Sequence, residues 1–216
     1  MTKMFVDPAQ FPRDELTGLE GMLAFKARLK ASLCAEDDKE CASIVLVMVD
    51  IDCFERINRE QGHDAGDRAL LFVADLLRER FSTGSLFRYG GDQFAYFAEN
   101  EEKEAIFLAM EDCRKRVAAQ EGDVSGVTVS VGIAAYPEDG ARYHELVRKA
   151  EGAMHRAKWS GMNRVCLARE EKMVTKTSHY TAEQLQRLTV LAKREGLGEA
   201  VLLREALDDL LRKYDA

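Results

Sequence analysis

Apolar residues are arranged in two ways along this chain, and each predicts its own kind of element. Over residues 42–52 the text ASIVLVMVDID is unbroken, β-branched and ends on two acids. A short run of that kind predicts a strand, residues 43–49, buried on both faces at the middle of a sheet, with carboxylates at its C-terminal end. Elsewhere apolar positions recur three, four and seven apart. Leu70, Val73, Ala74 and Leu77 share one face of a helix predicted over 65–81. Leu146, Ala150, Ala153 and Ala157 do the same over 143–158. Two further helices are expected, one entered from the turn DELTGL at 14–19 and one over 102–119. SLFRY and QFAYF flank GGD and predict a hairpin, with glycines supplying the positive φ of a tight turn. VTVSVGIAAY and NRVCLA read as two more strands.

Helix, strand, helix, hairpin, helix, strand, helix, strand is the order of an α+β domain over residues 14–169, with a central, mostly antiparallel sheet flanked by helices. Residues 1–13 form a short segment holding Pro8 and Pro12. Residues 170–216 read as a separate small module. MVTKTSHY at 173–180 can form a strand, and Thr181 with Gln184 fits a helix-capping box. Leu185, Leu188 and Ala192 then align on a helix reaching 195. After the turn GLG, Leu202, Leu203, Ala206, Leu207 and Leu210 align on a second helix over 199–214.

Composition changes this picture little. The 216 residues suffice for one well-packed domain and a small extra module. A net charge of -7 with 32% charged residues gives no overall bias toward nucleic acid or an anionic membrane. Cys34, Cys41, Cys53, Cys113 and Cys166 form no CxxC pair, as expected of reduced thiols. There is neither an apolar run of membrane-spanning length nor the apolar core of a signal peptide. A cytoplasmic protein with no membrane partner is expected, with no room upstream for a sensor domain.

The acids carry the candidate chemistry. Asp50 and Asp52 flank Ile51 at the end of the buried strand, and Asp92 lies in the hairpin turn. If strand and hairpin are neighbours, these carboxylates converge, and a hard divalent cation with nucleotide phosphates would neutralise them. Taken singly, each feature reads as no more than an acidic loop or a glycine turn in solvent.

Together they match a longer pattern. DIDCFERINREQGHDAGD, residues 50–67, resembles the GGDEF (diguanylate cyclase) pattern DxDxFKxINDxxGHxxGD, and GGDQF follows at the expected distance. DELTGL, VTVSVGIA and AKWSGMNR resemble three further blocks of that family. The resemblance implies a palm-like nucleotidyl-cyclase fold, GTP as substrate and cyclic di-GMP as product, made by two protomers with Mg²⁺ (or Mn²⁺). It places metal ligation on Asp50, Asp92 and the carbonyl of Ile51. It places guanine recognition on Asn58 and Asp67, framed by Phe54, Gly62, His63 and Gly66. Phosphate contact falls to Gly90, Gly91 and Lys158.

Against the same pattern this chain departs on the phosphate and catalytic side. Gln93 stands where the family has an acid assigned to metal binding and to the attacking hydroxyl. Glu55 replaces a lysine, Arg59 an aspartate, Met162 an arginine and His155 a tyrosine. Phe81 and Gly84 stand where the family's inhibitory product site, RxxD, would lie. A few kcal/mol of transition-state stabilisation goes with each such electrostatic group. The expectation is therefore a degenerate domain that binds GTP or cyclic di-GMP and serves as a regulator. The alternatives are an active or weak diguanylate cyclase, with Asp92 and Gln93 at the catalytic position, and a transcription factor whose large domain is only scaffold.

The last segment resembles a ribbon-helix-helix module, which implies a homodimer whose paired strands enter the major groove of double-stranded DNA. Thr175, Thr177 and His179, or Lys176 on the other parity, are the residues implied to touch bases. From residue 171 on there are eight Lys/Arg and eight Asp/Glu, so the segment is not basic, and a helical hairpin that packs on the main domain or only dimerises the chain fits the same text.

Overall fold

Strand β2 (Ile44–Ile51) is buried along its entire length, and its two faces belong to two different cores. Val45, Val47, Val49 and Ile51 point one way, Ile44, Leu46 and Met48 the other, as the two-residue period of a strand requires. In the computed structural model, residues 11–33, 43–81, 85–169, 177–195 and 198–214 are described. They fall into two units, residues 1–170 and 171–216.

In the larger unit the sheet has six strands, in the order β1-β3-β4-β2-β5-β6. The others are β1 (Glu20–Gly21), β3 (Ser85–Arg88), β4 (Gln93–Glu99), β5 (Val129–Tyr136) and β6 (Arg164–Leu167). β3, β4, β2 and β5 pair antiparallel, while β1 on β3 and β6 on β5 are parallel. The expected α+β domain with a mostly antiparallel sheet is what forms. One face is covered by α3 (His63–Arg80) and α4 (Lys103–Ala118), which bury Leu70, Val73, Leu77, Ile106, Met110 and Val117. The other is covered by α1 (Met22–Leu33) and α5 (Tyr143–Trp159), with Phe25, Leu29, Leu146, Ala150 and Met154. The helix faces read from the spacing at 70–77 and 146–157 are buried.

Three differences from the expected elements have local causes. β2 runs on through Asp50 and Ile51, because both residues still pair across the sheet, Asp50 with Gln93 and with Ser130 and Ile51 with Val129. A helix the periodicity does not announce, α2 (Phe54–Gln61), follows at once. FERINREQ has no buried residue; it rests on the first core only through the half-buried Phe54 and Ile57, so it leaves no apolar stripe to read. The two-residue β1 is too short for any pattern.

The smaller unit has α6 (Ala182–Glu195) and α7 (Glu199–Tyr214) packed on each other. Its capping box is formed: the Thr181 N–H donates to Gln184 Oε1 at 2.9 Å and the Gln184 N–H to Thr181 Oγ1 at 3.2 Å. Leu185, Val190, Leu207, Leu210, Leu211 and Tyr214 are exposed. Of the strand expected at 173–180, residues 173–176 lie outside the described residues, and 177–180 have no strand pairing.

α5 lies on β5 so closely that Gly132 has no room for a side chain. A Cβ there would collide with the Ala150 carbonyl and the Met154 amide, both main-chain atoms that cannot swing aside. Gly132→Ala should therefore cost about 2–3 kcal/mol of stability. Urea unfolding checks this by a lowered midpoint at unchanged slope; an unmoved midpoint would refute the close approach.

Candidate functional site

The register of the sheet centre decides what meets what. Asp50 on β2 lies opposite Gln93, the first residue of β4, and the Ile51 N–H donates to the Asp92 carbonyl at 3.2 Å. Asp50 is 1% exposed. Its two oxygens are met by two different donors. Gln93 Nε2 donates to Oδ2 at 2.8 Å, and Lys158 Nζ, from the last turn of α5, lies 2.7 Å from Oδ1. Burial pushes the Asp50 carboxyl up to about 6, and the Asp92 carboxylate pushes it the same way; Lys158 and Gln93 pull it back. A glutamate at 93 would set a carboxylate against a carboxylate here.

Asp52, two residues on, is 4% exposed and has a different job. Ser130 Oγ donates to its Oδ1 at 2.6 Å; Thr128 Oγ1 and the Asn163 N–H donate to its Oδ2 at 2.7 and 3.0 Å. The carboxylate ties the end of β2 to β5 and to the loop before β6. Arg114 Nη1 holds Asn163 Oδ1 from the far side at 2.9 Å. That loop also brings Met162 Sδ to 3.7 Å from Cys53 Sγ.

The turn Gly90–Asp92 is fixed by Arg88, a residue that the reading of the motif passed over. Its Nε donates to the Gly90 carbonyl at 2.8 Å and its Nη2 to the Gly91 carbonyl. Asp14 Oδ1 lies 3.5 Å from its Nη1, and Asp14 in turn accepts from the Thr17 amide and hydroxyl at 2.8 and 2.6 Å. The block DELTGL thus acts on the glycine turn through one guanidinium. The signal was present as an arginine two residues before Gly90 in a strand that is otherwise apolar. The fields of Asp92 and Asp67 also reach Arg88.

A smaller cradle forms between α2 and α3. Gly66 in α3 would, with a Cβ, strike Asn58 Oδ1 and come within 3.1 Å of the Phe54 ring. Its missing side chain is therefore what lets Asn58 and Phe54 lie against α3. Asn58 Oδ1 is buried and has no hydrogen-bond partner among the described residues. A buried acceptor left unpaired costs about 1–3 kcal/mol unless a ligand supplies the donor. His63 and Asp67 stand exposed in the first turns of α3, and Glu55 is exposed in the first turn of α2.

The structure thus brings together Asp50, Ile51, Asp92, Gln93 and Lys158 as one group, and Phe54 and Asn58 as another. Thr177 and His179 are exposed, while Thr175 and Lys176 lie outside the described residues. A divalent cation needs oxygen lone pairs that point at it. The Gln93 amide already takes Asp50 Oδ2, and the Lys158 ammonium stands 2.7 Å from Oδ1 as an ion pair, although that oxygen accepts no hydrogen bond; among the described residues no group of three or more His, Cys, Asp and Glu could hold a metal ion. In this arrangement the residues do not fit a bound Mg²⁺: Gln93 and Lys158 would first have to turn away.

The family described as diguanylate cyclase, GGDEF domain, matches residues 12–164, and the ribbon-helix-helix domain family matches residues 174–215. The cyclic di-GMP phosphodiesterase NbdA of Pseudomonas aeruginosa is 30% identical over 177 residues, 79% of this chain and 22% of its own length. Diguanylate cyclase DgcP of the same organism is 32% identical over 160 residues, 72% of this chain and 24% of its own. The chain thus spans about a quarter or less of these relatives. Among solved structures, the GGDEF domain of DgcB from Caulobacter crescentus in complex with c-di-GMP superposes with a TM-score of 0.65. It is 29% identical and covers 72% of this chain and 94% of that one. The active GGEEF domain of a diguanylate cyclase from Vibrio cholerae gives 0.65 at 26% identity, over 70% and 98% of the two chains.

The raised Asp50 carboxyl sets a pH dependence. The folded protein holds this proton up to about 6 and the unfolded chain only to 3.8, so in that window the folded state binds more protons and stability falls as pH rises. Asp50→Asn removes the titration. The stability of wild type relative to this variant, in EDTA, should fall by about 2 kcal/mol from pH 4 to pH 7. A flat difference across that range would refute the buried, ionisable Asp50.

Proposed function

The chain belongs to the GGDEF, or diguanylate cyclase, family, and on that premise we propose that it binds a guanine nucleotide, GTP or cyclic di-GMP, as a cytoplasmic signalling regulator and not as an efficient cyclase. The observation that carries the binding half is the unpaired, buried Asn58 Oδ1 beside Phe54 and Gly66. The N1–H and amino group of guanine are the donors such an acceptor lacks, and Asp67 offers a second acceptor nearby. Phosphate contact would then fall to the Gly90–Gly91 turn, held by Arg88, and to Lys158.

The regulatory half rests on Gln93. A cyclase needs a negative group beside the attacking hydroxyl and stabilisation that grows in the transition state. Gln93 supplies a neutral amide already spent on Asp50. The ribbon-helix-helix match supports a homodimer joined through the tail, as do the exposed Leu207, Leu210, Leu211 and Tyr214 on α7. The same match supports contact with double-stranded DNA through residues 173–214, with Thr175, Lys176, Thr177 and His179 as the contacting set. The chain would then be a nucleotide-responsive transcriptional regulator.

A weak diguanylate cyclase is the second reading, favoured by the retained Asp50, Asp92 and Lys158. It requires Gln93 and Lys158 to release Asp50, so that Asp50, Asp92 and the Ile51 carbonyl could hold Mg²⁺ or Mn²⁺ with the phosphates.

Calorimetry on the full chain should show guanine nucleotide binding that Asn58→Ala weakens about 10- to 100-fold. Incubation with GTP and Mg²⁺ should yield cyclic di-GMP at a rate at least about 100-fold below that of an active family member; rapid product formation would overturn the regulator reading. In sedimentation, the wild type should run as a dimer and Leu210→Glu should shift it toward monomer. A monomeric wild type at micromolar concentration would remove the tail from the proposal.

A further inference from the structure

We infer that the pocket takes its guanine ligand without a divalent cation, and prefers one bearing a monophosphate or phosphodiester to GTP. The inference rests on the guanine reading above and specifies the charge of the ligand that this site accepts.

Two independent sets of residues lead there. The first is the group around Asp50. A cation at the end of β2 would serve to neutralise clustered carboxylates, and this chain does that with its own atoms. Lys158 supplies the positive charge at 2.7 Å from one oxygen, and the Gln93 amide supplies a donor at 2.8 Å from the other. Gln93 also removes one of the charges that would need neutralising. A cation entering here must displace an ion pair and a hydrogen bond from a carboxylate that is 1% exposed.

The second set is Glu55, Met162 and Asp92. Glu55 stands exposed in the first turn of α2, where it adds negative charge. Met162 lies with its thioether against the Cys53 thiol and offers phosphate no N–H from its side chain. Asp92 faces the same turn and already repels Asp50. Without a cation, every added phosphate charge works against Glu55 and Asp92. One phosphate group can be met: the Lys158 ammonium has three donors, it is ion-paired with Asp50 on one side, and its side chain is 29% exposed. The neighbouring Arg164 spends its Nε on the Met162 carbonyl at 3.1 Å, so a triphosphate tail would have to draw on a cation already engaged with this loop.

The test is calorimetric titration of the full chain with GMP, cyclic di-GMP and GTP, each in EDTA and in millimolar Mg²⁺, with AMP as the control for base reading. The expected result is binding of GMP or cyclic di-GMP in EDTA, with Kd moving less than about threefold when Mg²⁺ replaces the chelator. GTP should bind at least about tenfold more weakly than the better of the two in EDTA. Gln93→Glu restores the third carboxylate, and Mg²⁺ should then tighten GTP binding by about tenfold or more. Wild-type binding that appears only with Mg²⁺, or GTP binding tightest in EDTA, would overturn the inference while leaving the guanine pocket standing. AMP binding as tightly as GMP, or no guanine nucleotide binding in either buffer, would bring down the guanine reading and this inference with it.

Discussion

A carboxylate at the end of a strand buried on both faces has to be neutralised from within. Water does not reach Asp50, which is 1% exposed, so some positive charge or set of donors must be brought to it. That requirement places the rest of the site. It draws Lys158 in from the end of α5 and Gln93 across from β4, and it lifts the carboxyl's own affinity for a proton when those two do not suffice. Three elements that are distant in sequence are thereby joined at one atom group, opposite the glycine turn.

The surroundings are built so that this meeting is rigid. Asp52 locks the end of β2 to β5 and to the loop that follows Lys158, through Ser130, Thr128 and the Asn163 amide. Arg88 locks the turn, and Asp14 with Thr17 locks Arg88. The two acids at the end of the strand therefore do unlike work. Asp50 meets the Gln93 amide and the Lys158 ammonium, while Asp52 is a brace that accepts from Ser130, Thr128 and the Asn163 amide. Sequence cannot separate them, since the distinction depends on which neighbour stands across the sheet.

Much of the frame was legible because it is written in periodicity. The continuous run at 44–49 could only be a central strand, and Leu70, Val73 and Leu77 could only cover it as a helix. The hairpin followed from two β-rich runs about GGD. What was hidden lacked a burial signal. α2 carries Asn58 yet buries nothing, and β1 is two residues long. Arg88 was hidden for the opposite reason: one charged residue in an apolar strand says that something is special, without saying that it braces a turn three residues away. The state of Asp50 was also out of reach, because a motif reports which side chains are present and not which of them have already satisfied one another.

That last point bears on how the changed residues belong together. Gln93, Glu55 and Met162 look like three separate losses when each is set against a family pattern. In the fold they follow from one another. Once an amide and a lysine satisfy Asp50, a cation gains little by entering, and it would have to break two close contacts to do so. On the proposed cation-free reading, further positive side chains on the phosphate side would have no polyanion to hold. A glutamate at 55 and a thioether at 162 would then cost the site nothing that it uses. The cradle around Asn58 is untouched by this logic, because Gly66 still makes room for Asn58 there. The retained half and the altered half are thus two outcomes of a single change in how one buried carboxylate is neutralised.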